Sequence, residues 1–360
     1  MRIPRKRQVS GDAHPPVGIR GFKDLESQLR ACAGSGEARI FFAMENEKDS
    51  VPAVPEMPYA RCGASGLRLP KISLGLWHNF GGIDDFANAE KILLTAFEHG
   101  VTHFDLANNY GPPPGSAEEN FGKMLRRNLA AHRDEIVVSS KAGHRMWPGP
   151  YGDGTSRKSL VASCDQSLRR TGLDYFDIFY AHRYDAETPV EETVGALSAL
   201  VRAGKALYVG LSKFPADVAA RACALLRGNG TPCLIFQDRY NLFERSPEAE
   251  KLETARREGA GFIAFSPLAQ GLLTDKYLNG VPENSRAAKP SGFLRREQVT
   301  PEKIAEARRL DALARERGQT LAQYAIAWLL ENPLVTSVLV GASTPAQLLD
   351  SLGALRGGNA

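Results

Sequence analysis

No apolar stretch in this chain approaches the roughly 20 residues of a membrane span. No basic n-region, apolar core and small-residue cleavage site follow one another either. Neither membrane association nor export is expected, and a cytoplasmic protein is. Cysteine is scarce, at positions 32, 62, 164, 223 and 233 only, odd in number and without a C-x-x-C pair. This spacing excludes a disulfide framework and a cysteine zinc site, and leaves reduced thiols. The glycine signatures of nucleotide loops are missing too. The stretch after the first barrel-strand candidate is His78-Asn79-Phe80-Gly81-Gly82, not Gly-x-Gly-x-x-Gly, and there is no Gly-x-x-x-x-Gly-Lys-[Ser/Thr]. A doubly wound dinucleotide fold is therefore disfavoured. Charge of one sign is weak as well: the net charge is +4, much of it from Arg2, Arg5, Lys6 and Arg7. That cluster is short and has no interleaved aromatics, so no nucleic-acid partner is expected. His99 and His103 have the spacing of a metal pair, but Gly100 interrupts any helix between them, and no metal is expected.

Two regions differ in texture. Residues 1–57 are rich in Gly, Pro and charge, lack periodicity and contain Met44, followed by the polar Glu45-Asn46-Glu47-Lys48-Asp49-Ser50. They read as a disordered extension, or as translation from a start upstream of the natural one. Residues 58–357 read as one domain. Tyr59–Cys62 and Leu67–Pro70 flank Gly63 and Gly66 as a hairpin. Eight strand candidates follow: Ser73–Trp77, Thr102–Leu106, Ile136–Ser140, Phe176–His182, Ala206–Leu211, Leu234–Gln237, Phe262–Ser266 and Ser337–Val340. Helical stretches alternate with them, over Asp85–His99, Ala117–Ala131, Arg157–Thr171, Pro189–Ala203, Pro215–Arg227 and Pro247–Glu258. Prolines 189, 215, 247, 301 and 345 stand near helix starts, and Gly100, Gly204 and Gly259 follow helices as stops. The pattern predicts an α/β fold, a (β/α)8 TIM barrel with an N-terminal β-hairpin.

Such barrels carry their chemistry at the carboxyl ends of the strands. Asp105, Lys141 and His182 close three successive strand candidates, and Tyr110 lies in the loop after Asp105. A Tyr, Lys, His and Asp at one rim suit a carbonyl reductase. Tyr110 would protonate the substrate oxygen while a nicotinamide delivers hydride to carbon. The Lys141 ammonium would lower the Tyr110 pKa, Asp105 would hold Lys141, and His182 would orient the carbonyl.

Several stretches resemble motifs of the aldo-keto reductase family, in family order. They are Phe104-Asp105-Leu106-Ala107-Asn108-Asn109-Tyr110-Gly111, Ser140-Lys141-Ala142-Gly143, Asp177-Ile178-Phe179-Tyr180-Ala181-His182-Arg183, Val209-Gly210-Leu211-Ser212, Gln237-Asp238-Arg239-Tyr240-Asn241-Leu242, Phe265-Ser266-Pro267-Leu268 and Gly341-Ala342-Ser343-Thr344-Pro345-Ala346-Gln347-Leu348. Leu74–Gly81, Asn109–Glu118, Met146–Gly152 and Pro267–Leu273 resemble one branch of it, the bacterial L-glyceraldehyde 3-phosphate reductases, related to potassium-channel β-subunits.

The resemblance implies NADPH/NADP+ as cofactor and small aldehydes, such as L-glyceraldehyde 3-phosphate and methylglyoxal, as substrates. It implies cofactor contacts at Trp77, Asp105, Ser212, Gln237, Phe265, Ser266, Leu268, Gln270, Gly271, Leu272, Lys276, Ser285, Arg286, Gly341, Ser343 and Gln347. Ser212 and Gln237 would meet the carboxamide, and Phe265 would lie under the nicotinamide. The long run Leu268–Thr300 would wrap the pyrophosphate. Substrate contacts would come from Trp77, Tyr110, Trp147, Tyr151, His182 and Arg183, with Arg183 toward a substrate phosphate. A homo-oligomer is implied, as is an alternative role, an NADP(H)-binding partner that senses redox state.

The chain departs from the family pattern in three places. Thr344 stands where relatives carry a base for the 2′-phosphate, and Ser351 stands in place of an Asn near the adenine. The chain also stops at Ala360, before a further C-terminal segment expected over the site.

Overall fold

The computed structural model describes residues 56–283, 285–288 and 294–357. Most of the segment expected to be an extension, residues 1–55, lies outside them. A two-stranded antiparallel hairpin, β1 (Tyr59–Arg61) and β2 (Arg68–Pro70), precedes the barrel. Eight parallel strands then close on themselves in the order β10-β3-β4-β5-β6-β7-β8-β9. They are β3 (Ile72–Gly75), β4 (His103–Asp105), β5 (Val137–Ala142), β6 (Phe176–Ala181), β7 (Ala206–Ser212), β8 (Cys233–Arg239), β9 (Gly261–Phe265) and β10 (Ser337–Val340). The expected (β/α)8 barrel and its hairpin are both present.

Helices follow the strands: α1 (Phe86–Glu98), α2 (Ser116–Met124), α3 (Arg157–Thr171), α4 (Val190–Arg202), α5 (Ala216–Gly228), α6 (Lys251–Arg257), α7 (Pro301–Glu316), α8 (Leu321–Glu331) and α9 (Pro345–Leu352). Their ends have local causes. The Asp85 side chain accepts from the amides of Ala87 and Asn88 to start α1, and Gly100 turns the chain away at φ +78°. Pro189 and Pro215 stand at the N-caps of α4 and α5, and Pro301 and Pro345 open α7 and α9.

The structure differs from the sequence reading in three ways. The expected helix Ala117–Ala131 leaves α-geometry after Met124, through a π turn (Leu125–Leu129) and a 3-10 turn (Ala130–Glu135). The expected helix from Pro247 is a separate 3-10 turn, Ser246–Glu248, ahead of α6, because Glu250 between them is non-helical at φ −146°. Trp77 lies two residues beyond the end of β3 instead of closing it.

Two apolar layers hold the barrel. Phe104, Val138, Phe179 and Val209 belong to the large core with α1 to α5. Strand residues adjacent to these point to the other face and belong to the interior, where Ile178, Tyr180, Ile235, Ile263 and Leu339 pack together. Cys62 and Leu69 of the hairpin join this second cluster, so the hairpin plugs the amino end of the barrel. Chemistry is left to the other end.

Candidate functional site

Period-two alternation on short buried strands places the site. His103 and Asp105 share one face of β4, and Ser139 and Lys141 share one face of β5. The register pairs Asp105 with Ser139. All four side chains are fully buried. Lys141 Nζ donates to Asp105 Oδ2 and to the Leu106 carbonyl, the latter at 2.6 Å. Asp105 Oδ1 accepts from Ser139 Oγ at 2.7 Å and from Gln237 Nε2 at 3.2 Å. A buried ion pair is favourable only when further hydrogen bonds support it, and these bonds do so on both partners.

The four residues expected at one rim are together. Lys141 Nζ lies 5.0 Å from the centroid of the Tyr110 ring. The Tyr110 and His182 rings meet edge-on at 5.9 Å, and Trp77 stacks on Tyr110 at 6.1 Å. His144, which the sequence reading passed over, packs edge-on against His182 at 4.5 Å and receives Lys213 Nζ at 3.2 Å.

One electrostatic expectation is overturned. The Tyr110 pKa is not brought down in this structure. Burial and the Asp105 carboxylate push the phenol well above its ordinary value. The ammonium is turned to Asp105 and the Leu106 carbonyl. Tyr110 is a protonated phenol at neutral pH. Burial, helped by Lys141 and Lys213, holds His182 well below its usual value, so its ring is neutral. Its Nδ1 has no hydrogen-bond partner among the described residues. A fixed phenol O–H and a neutral imidazole can hydrogen-bond a carbonyl without placing a new charge in the pocket.

Other expected residues fall into three groups. The first has unmet hydrogen bonding: Ser212 Oγ, Gln270 Oε1 and Ser285 Oγ are buried without a partner among the described residues. Such groups cost about 1–3 kcal/mol each unless a ligand meets them. Gln270 (φ +61°) and Gly271 (φ +102°) turn the backbone beside Leu272, and Ser266 (φ +55°) is held through its carbonyl by Asn241. These fit a polar, multi-contact cofactor such as a dinucleotide. Phe265 is half-buried, between Lys213 and Arg239, each 5.9 Å from its ring.

The second group is occupied by the protein itself. Thr344 caps α9 by accepting from the Gln347 amide, and Gln347 Oε1 accepts from the Ser343 amide. Arg183 donates to the Gly143 carbonyl at 2.7 Å and to Asp153 at 2.9 Å, tying the loops after β5 and β6 together. The third group stands apart: Tyr151 is 59% exposed and Lys276 is exposed. The side chain of Arg286 lies outside the described residues. The described residues of the long run after Leu268 form 3-10 turns over their own core of Leu272, Tyr277, Ala287, Leu294 and Val299.

The sequence reading missed Ser139, His103 and Glu118. Glu118 is fully buried on α2, accepts from Ser140 Oγ at 2.6 Å and Arg170 Nε at 2.7 Å, and so braces the strand that carries Lys141. Period two was the available signal, since His103 and Ser139 each stand two residues before a site residue.

Comparison with known proteins agrees with this geometry. The family model for the aldo/keto reductase family matches residues 71–357. The chain is 54% identical over 306 residues to L-glyceraldehyde 3-phosphate reductase of Escherichia coli, covering 83% of this chain and 88% of that protein. It is 38% identical over 305 residues to a probable voltage-gated potassium channel subunit beta of Arabidopsis thaliana, covering 83% and 91%. A rice protein with the same description matches at 38% over 305 residues. The chain belongs to the aldo/keto reductase family.

Proposed function

We propose that this protein reduces small aldehydes to alcohols with NADPH, and that L-glyceraldehyde 3-phosphate and methylglyoxal represent its substrates. The observation that carries this reading is Tyr110, a buried phenol kept protonated beside the Lys141–Asp105 pair and a neutral His182. The reduced nicotinamide, when bound, supplies the hydride for the aldehyde carbon. Tyr110 Oη gives its proton to the aldehyde oxygen as general acid. His182 donates a neutral N–H to the same oxygen and fixes its direction. Asp105 keeps Lys141 in place, and Lys141 limits the charge that builds up on Tyr110 as its proton leaves. Ser212 and Gln237 would hold the carboxamide, Phe265 would support the ring, and Gln270 to Leu272 with Ser285 would meet the pyrophosphate. Trp77 and Trp147 would wall the aldehyde. The reading includes a cytoplasmic homo-oligomer.

Because the phenol pKa is raised, its acid form persists through neutral pH. Aldehyde reduction should therefore stay flat across neutral pH and fall only in alkali. Alcohol oxidation, which needs the phenolate as base, should rise only there.

The kinship with channel β-subunits supports a second reading, an NADP(H)-binding partner that turns over slowly and reports redox state. Steady-state oxidation of NADPH, beside NADH, with the two aldehydes separates them. Rapid saturable turnover with NADPH supports the reductase. Tight NADPH binding with negligible turnover on either aldehyde supports the sensor.

A further inference from the structure

Side chains pointing into the barrel from β4, β5, β3 and β10 form one hydrogen-bonded chain. It runs from Asp105 through Ser139, His103, Ser73 and Ser337 to the Pro70 carbonyl, with contacts of 2.7, 3.0, 2.9, 2.7 and 2.7 Å. The five linked side chains are fully buried, out of reach of solvent donors. Both ends of the chain are acceptors only, a carboxylate and a carbonyl. Five contacts need five protons. Each serine hydroxyl brings one and a neutral imidazole brings one, which makes four.

The missing proton can be located. Ser139 has a single proton, and the Asp105 carboxylate takes it in a charge-assisted bond. Ser139 can then only accept from the ring, so His103 Nε2 must carry the ring proton. Nδ1 accepts from Ser73, and the shortage moves to the far end. There Ser337 serves either Ser73 or the Pro70 carbonyl, with the Lys71 carbonyl 3.4 Å away. The opposite tautomer would set a bare Nε2 against the Ser139 oxygen or take Ser139 away from Asp105. The charged groups acting on the ring are Asp105 from its own strand and Lys141 from β5, while β3 and β10 present only hydroxyls. Burial outweighs them and holds the ring at about 4, so it is neutral at working pH.

We propose that His103 is a positioning residue whose Nε2–H holds the Ser139 hydroxyl on Asp105, and so fixes the carboxylate that anchors Lys141 beside Tyr110. Its effect on turnover rests on the reductase reading given above; the tautomer does not. His103 touches no reacting atom. It acts through Ser139, from the hairpin side of the barrel.

The test pairs two variants with a spectrum. His103→Gln keeps a donor and an acceptor, while His103→Leu keeps bulk and removes both. Misplacement of the acid–base group should lower kcat of the Leu variant by about tenfold to a hundredfold. Its aldehyde KM and NADPH affinity should barely change, and the Gln variant should recover most of the loss. Nitrogen-15 NMR of the histidine-labelled full chain, with the His103 signals identified by their absence in the Gln variant, should give the neutral Nε2–H tautomer. A ring protonated on Nδ1 alone overturns the proposal, as does a Gln variant no better than Leu. If the Leu variant does not fold, Ser139→Ala takes its place and should show the same isolated loss of kcat. A wild type that binds NADPH without reducing aldehydes sinks the reductase reading, and the spectrum still decides the tautomer.

Discussion

The two sides of the barrel interior are built on opposite principles. β6, β8 and β9, joined by Leu339 of β10, fill one side with Ile178, Tyr180, Ile235 and Ile263, which have close apolar neighbours. β3, β4, β5 and β10 fill theirs with Ser73, His103, Asp105, Ser139, Lys141 and Ser337, every one hydrogen-bonded. The apolar side is set mainly by volume, and Gly210 supplies it by leaving room for the Tyr180 ring, which a Cβ would approach to 2.3 Å. The polar side needs a partner for each side chain, because a polar group left alone in the interior is costly. One side therefore carries stability, and the other carries stability and chemistry together.

The sharpest way to break this division is Lys141→Met. It leaves the Asp105 carboxylate buried without its counter-ion, which should cost about 3–5 kcal/mol and abolish turnover. Urea unfolding beside steady-state assay reads both. Ile235→Ala on the apolar side should cost about 2–5 kcal/mol through the cavity it opens. Its turnover per folded molecule should remain that of wild type. If turnover of that variant fell as far as stability, the two sides would not be separable.

A smaller effect sharpens the contrast through pH. Burial holds His103 at about 4 and His182 well below the ordinary 6.5. The unfolded chain takes up these protons as pH falls below about 6.5 and the native protein does not, so stability drops toward acid. Each ring contributes up to about 1.4 kcal/mol per pH unit. His103→Gln should remove one share of that slope, whereas Ile235→Ala should shift the whole curve without changing it. Urea midpoints between pH 6.5 and 4 check this.

Much of this architecture is legible in the sequence, because its signals are periodic or chemical. Strands and helices alternate, Gly100 and Gly204 mark helix ends, and Asp105, Lys141 and His182 close apolar runs. The supporting shell is harder to see. Ser139 and His103 look like ordinary strand residues until the register sets β4 beside β5, and register is a long-range property. The sign of the Tyr110 shift is equally hidden, since it depends on how the fold buries the phenol and how near it sets Asp105. The long run after Leu268 gives no strong period, because its 3-10 turns are short and its core is made of single residues from each.

The most direct test of the central claim is Tyr110→Phe, compared with wild type by NADPH oxidation in the presence of L-glyceraldehyde 3-phosphate and of methylglyoxal. Removing one hydroxyl from a residue 8% exposed should leave the fold and NADPH binding intact. The account predicts that turnover falls by at least about a hundredfold. A variant that still reduces both aldehydes at the wild-type rate would contradict it, and the proton donor would have to be sought elsewhere on the rim.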